Sequence, residues 1–130
     1  MFRPLAASVS VIMAMLLASC CAFVPCHRGT SLVGSVANLS GQPIASAKIT
    51  LYGINSTSDG KGCFKMQASD GLPFTFVVTA VGHKSASVEA KSGFYRVRAT
   101  LAPAQSPEQS HVEWFPLSAS QYESSASCEP

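Results

Sequence analysis

Between Leu32 and Leu101 apolar side chains recur at every second position, and turn-forming residues separate one such run from the next. Leu32, Gly34 and Val36 alternate with Val33, Ser35 and Ala37, and Asn38-Leu39-Ser40-Gly41-Gln42-Pro43 then supplies a turn. Ala47, Ile49 and Leu51 alternate with Lys48, Thr50 and Tyr52, the pattern of a half-buried strand. The stretch from Asn55 to Gly62, rich in Ser, Asn, Asp and Gly, must turn the chain at least once; Phe64 and Met66 follow as a short strand, and Ser69-Asp70-Gly71 turns again. The strongest strand places Phe74, Phe76, Val78 and Ala80 on one face. A weaker one follows with Ala86, Val88 and Ala90, then Tyr95, Val97, Ala99 and Leu101 with Arg96 and Arg98 opposite. Side chains on a strand alternate between faces, so this pattern buries one face of each strand. No comparable stretch has helical periodicity, and the expected fold is all-β: a single antiparallel β-sandwich of about seven strands.

The first residues follow a different rule. Met1-Phe2-Arg3 is a short basic start, and the apolar run beginning at Leu5 ends in Leu17-Ala18-Ser19-Cys20. A positive start, an apolar run too short to span a bilayer and a small-residue exit predict a cleaved N-terminal signal helix over residues 1–19. The Leu-Ala-Ser-Cys ending resembles the lipobox of bacterial lipoproteins. That resemblance implies that Cys20 is lipidated, with acyl chains of the palmitate class, and becomes the first residue of the mature protein. Two or more chains give stable membrane anchoring. Cys21 stands where an Asp resembles an inner-membrane retention signal, so the expected location is the bacterial cell envelope, anchored in the outer membrane and facing the periplasm.

Loss of the signal removes Arg3 from 9 basic residues against 7 acidic ones, leaving a net charge of +1 (8 minus 7). So balanced a surface speaks against nucleic acid or acidic lipid as an electrostatic partner. Of five cysteines, Cys21, Cys26, Cys63 and Cys128 remain once Cys20 is lipidated. An even number in an oxidising compartment predicts disulfides, in any of three pairings. Their spacing beside His27 fits no common zinc pattern, so neither a metal nor a cofactor is expected.

Four segments result: signal 1–19, lipidated N-terminus and tether 20–31, β-sandwich 32–103, and a Ser/Gln/Pro-rich tail 104–130. The tail contains one apolar island, His111-Val-Glu-Trp-Phe-Pro-Leu117, with the chain's only Trp. Trp114 and Phe115 are expected either to contact a partner or to fold back as an extra strand.

Five blocks within 32–103 together resemble the carboxypeptidase regulatory-like domain, a transthyretin-like or immunoglobulin-like sandwich. They are Gly34-x-Val36 with Gly41-x-Pro43, Ala47-Lys-Ile-Thr-Leu51, Ser58-Asp-Gly-Lys-Gly-Cys-Phe64, Phe74-x-Phe76-x-Val78-x-Ala80-x-Gly82-His83, and Leu101-Ala-Pro103. His83 replaces the family's usual Tyr, Ser58 a common Thr, and Cys63 intrudes into the third block. The residues themselves read as scaffold. Gly41 and Gly62 suit positive φ, Asp59 can accept from the backbone two residues on, and Phe64 facing inward turns Cys63 outward, toward Cys26 or Cys128.

Reaction chemistry has little footing. His27, His83 and His111 are scattered, and only His83 lies within the sandwich. The resemblance extends to hydroxyisourate hydrolases, but the chain ends Ser127-Cys-Glu-Pro130 rather than in their Tyr-Arg-Gly-Ser-like tetrapeptide. Asp59 and Asp70 lack the further oxygens that calcium requires. The expected protein is therefore not an enzyme. It is a lipid-anchored structural or docking module with an envelope protein partner. The alternative is a module for carbohydrate or peptidoglycan, a cell-wall glycan stacking on Tyr52 or Tyr95.

Overall fold

A computed structural model describes residues 29–125. The chain is an all-β sandwich of two four-stranded sheets. In chain order the elements are β1 (Gly29–Asn38), β2 (Lys48–Leu51), β3 (Ile54–Thr57), β4 (Cys63–Ser69), β5 (Thr75–Thr79), β6 (Ala86–Glu89), β7 (Gly93–Leu101), β8 (His111–Pro116) and a short helix α1 (Ala119–Ser124). One sheet has the order β4-β1-β7-β8 and the other β3-β2-β5-β6.

All strand pairs are antiparallel except β1 and β7, which run parallel from Thr30↔Gly93 to Asn38↔Leu101. The cause is the crossing from β6 in one sheet to β7 in the other, which brings β7 in beside β1 in the same direction. Alternation decides what is buried. Leu32, Val36, Ile49, Leu51, Phe64, Phe76, Val78, Val97, Ala99 and Leu101 fill the space between the sheets. Burying the Leu, Val, Ile and Phe side chains among them contributes about 1.5–3 kcal/mol each.

Turns and one close strand contact account for the motif residues. Asp59 Oδ1 accepts from Lys61 N and Cys63 N, both at 2.9 Å. Gly62 has φ +77°, and a Cβ there would come within 2.6 Å of the Val36 carbonyl oxygen. Gly34 faces Phe64 in register, and a Cβ on it would meet Phe64 Cζ at 2.9 Å and collide with the Val97 carbonyl oxygen.

Two expectations need correction, and one strand is added. The stretch from Asn55 does turn the chain before β4, but its first residues form β3, which pairs with β2 through a two-residue hairpin in which Tyr52 and Gly53 have φ +50° and +80°. Positive φ at both positions is the geometry of a tight hairpin, but Tyr-Gly lacks the Asn or Asp that advertises one. Phe74 does not join Phe76 inside; it precedes β5 and is 51% exposed. The segment 104–130 is not simply tail, because β8 pairs with β7 from Thr100↔His111 to Tyr95↔Pro116 and α1 follows it. The strand count is accordingly eight among the described residues.

Candidate functional site

The outer face of the β4-β1-β7-β8 sheet is divided between a covered half and an open half. The covered half lies under α1. Ser118 caps this helix reciprocally: its hydroxyl accepts from Gln121 N at 3.1 Å, and Gln121 Oε1 accepts from Ser118 N at 2.8 Å. Tyr122 of α1 is buried, 5.5 Å from the Phe94 ring. Burial pushes its phenol pKa up. The Lys65 ammonium lies 4.6 Å over the Tyr122 ring and donates to the Tyr122 and Ser125 carbonyls at 3.1 and 2.8 Å.

The open half belongs to the end of β7 and to β8. Arg98 lies in register with Glu113, its guanidinium 5.7 Å from the centre of the Phe115 ring. Phe115 is 40% exposed. His111 Nε2 is 3.8 Å from Glu113 Oε1 in the open. Arg98 of β7 thus shares one exposed face with a carboxylate and an aromatic ring of the edge strand β8.

Trp114 and Phe115, adjacent in the sequence, face opposite ways in the structure. Strand alternation turns Trp114 inward, where it meets Phe76 at 5.2 Å and Tyr95 at 5.1 Å between ring centroids. Phe115 alone remains on the surface. Neither tyrosine is an open platform for a sugar. Tyr52 is 7% exposed, with its hydroxyl 2.7 Å from Thr30 Oγ1. Its pKa is raised chiefly by burial, with the Asp70 charge adding to the effect and the Thr30 hydrogen bond opposing it. Tyr95 is half-buried against Trp114.

The remaining candidates are dispersed. His83 sits in the turn after β5, its Nδ1 2.9 Å from the Val81 carbonyl. Asp70 accepts from Ser92 Oγ at 2.7 Å, near the opposite end of the sandwich from the Asp59 turn. Among the described residues no three His, Cys, Asp or Glu side chains gather as a metal site. Cys63 is buried at the start of β4. Cys20, Cys21, Cys26, His27 and Cys128 lie outside the described residues.

One apolar cluster joins residues that neither alternation nor motif brings together. Leu72 is 80% exposed, Phe74 51% and Ile54 51%, all at the end of the sandwich where β1 begins. The signal was present in Leu72-Pro73-Phe74, three apolar residues directly after the Asp70-Gly71 turn.

Comparison with family models gave no match, and neither did comparison with curated proteins. Among solved structures the chain is similar to a Bacteroides fragilis protein of unknown function, described as a candidate membrane-associated protein. Identity is 17% and the TM-score 0.36, over 62% of this chain and 30% of the other. The chain thus spans less than a third of that protein's length.

Proposed function

We propose that the protein is a lipid-anchored, non-catalytic component of a bacterial envelope whose sandwich docks another protein. The anchor is Cys20, and the outer membrane, with the domain facing the periplasm, is its proposed place. The docking reading is carried by the open face of β8, where Phe115, Arg98 and Glu113 are presented on a strand whose inward neighbour Trp114 is fixed in the core. Kinship with carboxypeptidase regulatory-like modules is supported by the physical reasons for the shared residues: no room for a side chain at Gly34, positive φ at Gly62, and the two hydrogen bonds accepted by Asp59.

In-cell photo-crosslinking from position 115 of the anchored protein tests the docking role. One dominant protein adduct, lost when Arg98 is changed to Ala, is the expected result. Peptidoglycan adducts, or none, contradict it and favour the wall-glycan alternative.

We further propose a disulfide between Cys63 and Cys128. Cys26 is three positions before Gly29, which pairs with Ser69, six positions along β4 from Cys63. That is about 20 Å at 3.3 Å per residue. Three residues span at most about 11 Å, and disulfide Cα atoms lie within about 7 Å. Cys128 follows three positions after Ser125, whose carbonyl is held by Lys65, on the same strand and the same face as Cys63. Oxidation passes two electrons and two protons from the thiols to a disulfide-bearing oxidant of the envelope. Peptide mapping of the unreduced protein should recover a Cys63–Cys128 linked pair; Cys63 linked to Cys26 or Cys21 would overturn the assignment.

A further inference from the structure

Strand direction brings five segments to one end of the sandwich. β1 begins there at Gly29, β4 ends there opposite it, the β2–β3 hairpin turns there, β5 begins there, and β6 passes into β7 there. Backbone hydrogen bonds knit these segments together: Tyr52 N donates to Thr75 O at 3.2 Å and Ala90 N to Phe74 O at 3.1 Å. The Thr30 hydroxyl adds a bond to the Lys91 carbonyl at 2.7 Å. On this base Leu72, Phe74 and Ile54 project apolar side chains into the open. The Phe74 ring is braced edge-on against Tyr52 at 6.2 Å, so it is held in place while half exposed. Exposed Lys91 occupies the adjoining turn.

We propose that this end is a membrane-docking surface, with Leu72 and Phe74 inserted at the lipid interface of the bilayer that holds the acyl chains. The inference rests on lipidation of Cys20. The length of chain before the fold selects the bilayer as occupant. Gly29 is nine positions after Cys20, a contour of at most about 30 Å. β1 has ten residues, about 33 Å at the rise of a strand. The tether would therefore have to run its whole length back along the sandwich to bring the opposite end, with Leu39 and Val81, to the membrane. The end bearing Leu72 needs none of that reach. Leucine and a ring-bearing residue with a nearby lysine are the side chains that favour the acyl–headgroup boundary. Docked this way, the sandwich stands upright and its open β8 face points sideways, clear of the lipid.

The test uses full-length lipidated protein in phosphatidylcholine vesicles, with bromine placed on the acyl chains near the glycerol. Leu72→Trp and Val81→Trp add a reporter at either end, and the wild type, with Trp114 in the core, sets the baseline. Leu72→Trp should lose roughly half of its added emission, as expected for a side chain about 5–10 Å into the interface, while Val81→Trp loses none. Equal quenching at both ends, or none at Leu72→Trp, overturns the proposal. Flotation of Cys20→Ser beside the wild type separates the two ideas. If only the wild type floats, the anchor stands and an unquenched Leu72→Trp sinks docking alone. If the two behave alike, the anchor reading falls and the docking falls with it.

Discussion

Trp114 on β8 and Phe76 on β5 meet edge to face across the interior, their ring centroids 5.2 Å apart at 79°. A residue from the polar C-terminal segment thus joins one sheet to the other, and the final strand is part of the core. Edge-to-face pairs add about 0.5–1.5 kcal/mol beyond the area they bury. Truncating Trp114→Ala should cost about 3 kcal/mol, the low end of the range for a buried aromatic. Phe115→Ala, a position later and facing out, should cost under about 1 kcal/mol. Urea unfolding of the two variants checks this, and equal losses would contradict the assignment of faces.

Gly34 is required by close packing. A methyl group there meets Phe64 Cζ at 2.9 Å as well as the Val97 carbonyl. Gly34→Ala should destabilise by about 1–3 kcal/mol, the usual cost of overpacking a core. A second change of Phe64→Leu should recover part of that loss, measured as a double-mutant cycle; strict additivity would show that the ring is not the obstacle.

The Asp59 carboxylate accepts two backbone N–H bonds in the turn before β4. Hydrogen bonds to charged groups contribute about 1.5–3 kcal/mol. Asp59→Ala should lower stability by roughly that amount, and Asp59→Asn, which keeps an acceptor, by less. Thermal unfolding of both variants distinguishes an organised turn from a solvated acid.

Tyr52 and Tyr122 both have phenol pKa values raised above the ordinary value of about 10, chiefly by burial. The unfolded chain therefore ionises first. Their contribution is present in full below about pH 10 and is lost as pH rises through the higher folded-state values. The unfolding midpoint should fall beyond that pH, and less steeply in Tyr122→Phe. An identical slope in the variant would contradict the burial argument.

The sandwich was legible because period-two alternation is a local property of each strand, and Ile49, Leu51, Val97 and Ala99 lie where their spacing puts them. What escaped depends on neighbours distant in sequence. Trp114 looks like an isolated aromatic until β7 supplies its register. Phe74 continues the apolar alternation of β5 but lies beyond the strand end, where no opposing layer covers it. Tyr52 continues the outward positions of the alternation that begins at Lys48, but the hairpin's positive φ turns it onto Thr30. The exposed face of β8 brings Phe115 to Arg98, a proximity that only strand pairing creates.

The anchor, the envelope location and the membrane-facing end of the sandwich all depend on acylation of Cys20. Its most direct test is the intact mass of the native protein extracted from membranes, with the Cys20→Ser variant fractionated in parallel. The expected result is a mature chain beginning at Cys20 and carrying fatty-acyl mass, and a variant released from the membrane fraction. An unmodified Cys20, or a Cys20→Ser protein that remains membrane-bound, would contradict it.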